Sequence, residues 1–307
     1  PETSMKRRQL LQIASAITAS SALPIFARES FQRTGPPRFQ VGLAAYSLRK
    51  YFAFSRGKSQ TPDRDGKPLD MYRFIDYCVS QDLDAAELTS YFFDPAITDE
   101  QFLDLKRYAF VRGIDISGTA IGNNFTIGAG AKLDAEIEKA KQWIDRAGLL
   151  GAPHIRLFAG TGKQLQQDPQ RMKEACDAIR VCADYASRRG VFIGIENHGN
   201  LTSDQMLEIM NRVESPWVGI NLDTGNFWSE DPYRDLEKCA PFAVNVQVKV
   251  NMKKTGGEHY PADLQRVAAI LKEASYQGYV ILEYEDANPY QNIPSKLREL
   301  KARLATD

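Results

Sequence analysis

The sequence predicts a single (β/α)8 barrel, on three observations. From residue 39 to the C-terminus, eight short apolar or alternating runs recur, each followed by a longer amphipathic stretch. Eight such units in about 270 residues match the size of that fold. No glycine-rich phosphate loop follows the first run, which disfavours the alternative of a doubly wound sheet. No linker-like shift in composition, fixed-period repeat or low-complexity tract interrupts residues 39–307.

The predicted strands are QVGLAAYSL (40–48), AAELTS (85–90), IDISGTAI (114–121), HIRLFAG (154–160), VFIGIENHG (191–199), WVGINLDTG (217–225), AVNVQVKV (243–250) and YVILEYE (279–285). Between them lie helical patterns such as AEIEKAKQWIDRAGLLG (135–151), DPQRMKEACDAIRVCADYASRRG (168–190) and DLQRVAAILKEASYQG (263–278), each closed by Gly. The stretch 51–69 is long for a strand-to-helix connection and rich in turn residues, so it is expected on the rim of the barrel mouth.

Residues 5–27 read as a targeting segment and not as fold: Lys6, Arg7 and Arg8 precede an apolar, small-residue stretch. The run Lys6-Arg7-Arg8-Gln9-Leu10-Leu11-Gln12 resembles a twin-arginine export signal, which implies a bacterial periplasmic or otherwise exported protein. The expected organisation is residues 1–27 as upstream residues plus signal, 28–38 as a linker and 39–307 as the barrel.

The 307 residues are 43% hydrophobic and 25% charged, enough for a sizeable core. Lys plus Arg and Asp plus Glu both total 39, and without the leader the charge falls to near −2. Such a chain has no basic field to neutralise phosphates, so nucleic acid is not an expected partner. No stretch after the leader is long and apolar enough for a membrane anchor. Cys78, Cys176, Cys182 and Cys239 form no CxxC pair and are expected as buried thiols, although an exported protein could form one disulfide.

Side chains alternate faces along a strand, which decides what can meet inside the barrel. If Val191, Ile193 and Ile195, then Val218, Ile220 and Leu222, then the valines of AVNVQVKV, then Val280 and Leu282 all face the helices, the opposite rows face inward. Those rows bring Glu196, Asp223, Gln247 and Glu283 to the C-terminal ends of four consecutive strands. Carboxylates about 5 Å apart repel by about 3 kcal/mol per pair at an effective dielectric near 20. Lys249 adds one ammonium, which does not balance three carboxylates. The three need a proton or a cation, and a divalent metal with oxygen ligands balances them better. The chain has only His154, His198 and His259, too few for a histidine-rich zinc cluster, so Mn2+ or Mg2+ is favoured and Zn2+ remains possible. On strand four, His154 and Arg156 share a face, and Arg156 is a candidate for gripping a substrate oxygen. Phe227 and Trp228, just past strand six, could stack on sugar C–H surfaces at the mouth, whereas Trp217 is expected in the core. His259, in a glycine-bearing loop, could close over the mouth.

With GIENHG (194–199), NLDTGNF (221–227), NVQVK (245–249) and GYVILEYE (278–285), the chain resembles the xylose-isomerase-like barrels of sugar isomerases and epimerases over roughly residues 39–300. The resemblance implies one divalent metal on Glu, Asp, His and Glu at these strand ends. Glu196, Asp223 and Glu283 match three of those positions, and Gln247 stands where the family usually has His. It also implies that His198 lies near substrate, while Asn226 replaces a His found in many relatives.

The chemistry expected is proton abstraction beside a carbonyl, with Glu196 and Glu283 removing and returning the proton and Lys249 and His198 completing the catalytic set. Isomerisation, epimerisation and cleavage of a 3-keto-glycoside are all open to such a site. Export favours an unphosphorylated sugar or keto-glycoside as the small-molecule substrate. The rival readings are a non-catalytic sugar-binding barrel with a degenerate metal site and a nuclease of the apurinic-endonuclease branch. The small number of histidines and the neutral charge argue against the nuclease.

Overall fold

In a computed structural model, described for residues 29–63 and 68–305, all eight expected strands are present and close into one parallel barrel. They are β1 (Arg38–Ala44), β2 (Ala85–Glu87), β3 (Asp115–Ala120), β4 (His154–Phe158), β5 (Phe192–Glu196), β6 (Val218–Asp223), β7 (Ala243–Val248) and β8 (Gln277–Leu282). Each strand pairs with its sequence neighbours, and β8 returns to β1 with Arg38 opposite Gln277 and Leu43 opposite Leu282. The predicted export signal lies outside the described residues.

The outer layer comprises α1 (Met71–Ser80), α2 (Asp99–Phe110), α3 (Ala131–Leu150), α4 (Pro169–Ser187), α5 (Ser203–Val213), α6 (Pro232–Cys239), α7 (Leu264–Glu273) and α8 (Pro289–Leu304), with a short extra helix Gly162–Gln167 ahead of α4. Their starts are set locally. Thr98 and Thr202 form reciprocal capping boxes with Gln101 and Gln205, and Asp70, Asp168, Asp231 and Asp263 accept first-turn N–H groups. Gly151 ends α3 in the left-handed conformation that glycine adopts without strain. The four cysteines are free and buried.

The main core lies between barrel and helices, and it contains Val41, Leu43, Ile193, Ile195, Val218, Ile220, Val246, Val248, Val280 and Leu282. Ala44, Ala85 and Ile281 form a separate small cluster. The rows of β7 part as alternation predicts except at Val244, which was expected toward the helices: a bulge between Ala243 and Asn245 turns it to the barrel floor beside Phe31, while Asn245 and Gln247 face inward. Residues expected as a linker are seated on the barrel floor instead. Phe31 packs edge-on against Phe192 with ring centroids 6.4 Å apart, and Arg33 donates to the carbonyls of Pro241 and Ala243 while stacking over Tyr276. On the opposite rim, the 51–69 stretch carries the two-residue strands Phe54–Ser55 and Lys58–Ser59, anchored by Phe52 stacked on Phe92 at 4.6 Å. Among the described residues no helix is long and apolar enough to cross a membrane.

Candidate active site at the barrel mouth

Glu196 and Asp223 end β5 and β6, Gln247 is one residue short of the end of β7, and Glu283 follows β8 directly. In register, Asp223 lies opposite Gln247, while Glu196 lies opposite Asn221 and Gln247 opposite Ile281, so the ring climbs by two residues between β5 and β6 and again between β7 and β8. All four are buried.

A fourth carboxylate joins them from β2. Glu87 is fully buried and accepts from Gln247 Nε2 at 3.0 Å and Asn245 Nδ2 at 3.3 Å. Below it the amides form a chain: Asn245 donates to Asn221 Oδ1 at 2.7 Å, and Asn221 donates to Gln247 Oε1 at 2.7 Å. Gln247 is thus a bridge between Glu87 and Asn221, with one acceptor lone pair of its oxygen left over. Burial pushes the Glu87 carboxyl up to about 7, against the pull of Arg156. Glu87 was missed in the sequence because AAELTS is too short for its alternation to fix which row faces inward. The available signal was a lone acid in an otherwise apolar strand.

Two cations serve this ring. Arg156 Nε lies 2.8 Å from Glu196 Oε2, an ion pair without a well-aligned Nε hydrogen bond, and its Nη1 donates to Ile121 O at 2.6 Å. Burial opposes the guanidinium charge, but Glu196 and Tyr91 outweigh it and hold the group protonated above its ordinary range. Glu196 also accepts from Asn226 Nδ2 at 2.9 Å and faces His198 Nδ1 at 3.1 Å. Burial raises this carboxyl, yet Arg156 and His198 bring it below its usual value. His198 stacks on Phe158 at 4.4 Å and leaves 52% of its side chain exposed, a position open to a ligand.

Lys249, just beyond β7, reaches into the other half of the ring. Its ammonium contacts Glu283 and Glu285 and lies 3.4 Å from Asp223 Oδ2, which has no hydrogen-bond partner. Asn197 holds the Asp223 backbone from both sides, at 2.8 and 2.9 Å. Burial lifts Asp223 to about 6 and lifts Glu283 well above the carboxylate range, with Lys249 opposing both shifts. Glu285, although burial raises it, is drawn down to about 2 by Lys249.

The donor chemistry suits a hard divalent ion. Glu87, Glu196, Asp223, Glu283 and Glu285 outnumber Arg156 and Lys249, and the unpartnered Asp223 Oδ2 is a buried oxygen without a donor. As the side chains stand, however, no three His, Cys, Asp or Glu residues among the described ones are grouped to hold a metal. Lys249 lies between Asp223 and Glu283 as the resident positive charge, and Gln247 is turned to Glu87.

Of the other expected substrate contacts, Arg156 is inside the ring, and His259 lines the mouth together with Lys249, Asn226 and Glu283. Three are placed elsewhere. His154 begins β4 at the barrel floor, where its Nδ1 meets Ser117 O at 2.7 Å. It occupies space opened by Gly118, whose Cβ would stand 2.2 Å from its Cε1. Phe227 is buried in the main core. Trp228 is 43% exposed, with the Lys253 ammonium 4.2 Å above its ring. Trp217, expected in the core, is half-buried outside the core clusters and packs on Phe192 at 4.8 Å.

The family model for the xylose isomerase-like TIM barrel matches residues 75–305. The chain belongs to this family. No curated protein matches it by sequence. Among solved xylose isomerase-like barrels it is similar to the IOLI protein with a bound zinc atom, at 17% identity and a TM-score of 0.68 over 86% of this chain and 96% of that one. It is also similar to 3-keto-D-glucoside 4-epimerase from E. coli, at 14% identity and a TM-score of 0.61 over 86% and 100% of the two chains. D-psicose 3-epimerase with D-tagatose from Clostridium cellulolyticum H10 gives 16% identity and a TM-score of 0.62 over 86% and 96%. Identities this low establish the shared barrel and not a shared reaction.

Proposed function

We propose that the chain is an isomerase- or epimerase-type enzyme that moves a proton beside a carbonyl of an unphosphorylated sugar or keto-glycoside. The observation that carries this reading is the ring of buried carboxylates, Glu196, Asp223 and Glu283, set at the mouth with Lys249 among them. Glu196 and Glu283 stand three strands apart, so a substrate between them presents one face to each. One removes the proton and the other returns it. Arg156, Asn226 and His198 fix Glu196, while Lys249 places a positive charge beside the oxygen on which negative charge develops. Return to the neighbouring carbon isomerises the sugar, and return to the opposite face epimerises it. Loss of a β-substituent instead cleaves a 3-keto-glycoside, and the E. coli 3-keto-D-glucoside 4-epimerase among the similar structures keeps keto-glycosides in view.

Glu196, Asp223 and Glu283, with the remaining lone pair of Gln247, would hold a divalent ion, Mn2+ or Mg2+ before Zn2+. When bound, such an ion supplies Lewis-acid polarisation of substrate oxygens. Delivery to the periplasm by the twin-arginine route fits an unphosphorylated substrate.

Exchange of a carbon-bound substrate proton with deuterated water tests the reading, using candidate ketoses and keto-glycosides with the wild type supplied with Mn2+ and with Glu283→Gln. Exchange in the wild type and its loss in a folded Glu283→Gln are expected. Undiminished exchange in the variant assigns the proton transfer to another group, and no exchange on any of these substrates, with no ion bound, leaves the sugar-binding barrel as the reading.

A further inference from the structure

A second cavity, of about 440 Å3, opens beside the ring and shares one wall with it. Its sides come from the rim hairpin at Arg56, the connection after β2 with Tyr91 and Asp94, and one face of α3, where Lys139, Trp143 and Arg146 follow each other at helical spacing. Tyr91 is the shared wall: its hydroxyl side supports the charge of the Arg156 guanidinium, and its ring lies under Arg56.

The lining is unbalanced in charge. Arg56, Lys139 and Arg146 face one acid, Asp94, whose Oδ1 is already used in accepting from Ala96 N at 2.8 Å. Lys139 is committed to Gly122 O and lies 3.6 Å from Glu136. Arg56 and Arg146 have no carboxylate within ion-pair distance among the described residues. Both instead lie over rings, Arg56 over Tyr91 at 4.6 Å and Arg146 over Trp143 at 4.7 Å. A guanidinium seated over a ring still has edge donors in a fork that matches a planar or tetrahedral oxyanion. The volume holds a ligand of monosaccharide size.

We propose that this cavity is an oxyanion-binding site, taking the carboxylate of an acidic sugar or a free phosphate. The proposal stands apart from the reaction at the barrel mouth, because its test reads binding and not turnover.

Titration calorimetry on the full chain compares glucuronate, glucose and inorganic phosphate, in the wild type and in Arg56→Gln/Arg146→Gln. Glucuronate and phosphate are expected to bind at least tenfold more tightly than glucose, and the double variant is expected to lose at least tenfold for both. Tighter glucuronate identifies an acid-bearing carbohydrate as the ligand, and tighter phosphate identifies a free anion. Quenching of Trp143 emission, read as the difference between wild type and Trp143→Phe, reports the same event without removing a charge. Equal affinities for glucuronate and glucose, affinities unchanged in the double variant, or no quenching assignable to Trp143 would overturn the proposal.

Discussion

Replacing His154 by Asn should leave the mouth intact and remove a specific acid sensitivity of the fold. His154 is fully buried at the barrel floor, and burial, reinforced by Arg156, lowers its imidazole from 6.5 to about 4, against the bond to Ser117 O. In the unfolded chain the imidazole returns to its ordinary range near 6.5, so the unfolded state binds the proton more readily. A depressed folded value means stability that is fully present above about 6.5 and is lost as the pH falls toward 4. The linkage relation gives a loss of about 2 kcal/mol at pH 5 and about 3 kcal/mol at pH 4 from this one group. Asn places an amide N–H near the position of imidazole Nδ1, keeps the bond to Ser117 and does not titrate. Urea denaturation of both proteins from pH 7.5 to 4 provides the measurement. Carboxylates titrate in both alike, so the difference between the curves isolates His154. Parallel curves would refute the buried, neutral imidazole. Loss of substrate affinity in the variant would return His154 to the substrate site.

Three other perturbations have defined outcomes. Arg156→Met leaves Glu196 buried without its guanidinium and should cost about 3–5 kcal/mol in chemical denaturation, whereas a loss under about 1 kcal/mol would mean the pair carries little of the local structure. Gly118→Ala drives a methyl to 2.2 Å from the His154 ring and should cost about 1–3 kcal/mol, a loss that His154→Ala in the same chain should largely remove. Lys249→Met takes the ammonium from Asp223, Glu283 and Glu285, so Mn2+ should raise the melting temperature of the variant more than that of the wild type. No rise in either protein would count against a divalent ion at this ring.

The fold was legible because its signals are local and repeated. Eight apolar runs with helical patterns between them admit few packings, and the alternation in β7 and β8 correctly sends Val246, Val248, Val280 and Leu282 to the helices. The same period placed Glu196, Asp223 and Glu283 together, since phase along a strand survives even when its end is uncertain by a residue or two. What failed was height along the barrel axis. His154 and Arg156 share a face, but two residues separate floor from mouth, and only the first lies at the floor. Aromatics beyond a strand end have no phase to read, so Phe227 entered the core while Trp228 reached the surface. Gln247 was correctly inward, yet its partner Glu87 is 160 residues away and no local pattern connects them.

The charges around the ring are interleaved and not segregated. Moving from β4 to β8, the order is Arg156, Glu196, Asp223, Lys249, Glu283, so each cation has an acid from a neighbouring strand or the next one on. Arg156 is fixed by both Glu196 and the Ile121 carbonyl, which makes it a permanent part of the wall. Lys249 differs, because a flexible ammonium shared among Asp223, Glu283 and Glu285 can move toward whichever oxygen carries most charge. Glu87 makes no ion pair with either cation, although Arg156 opposes its upward shift, and it is held by amides, with burial pushing its carboxyl up to about 7. The folded chain therefore carries a local excess of acid that its own residues only partly offset, and whatever reduces that excess stabilises the barrel. A ligand that engages the ring should thus raise the melting temperature of the protein, and the mouth, not the aromatic surface around Trp228, is where such stabilisation must originate.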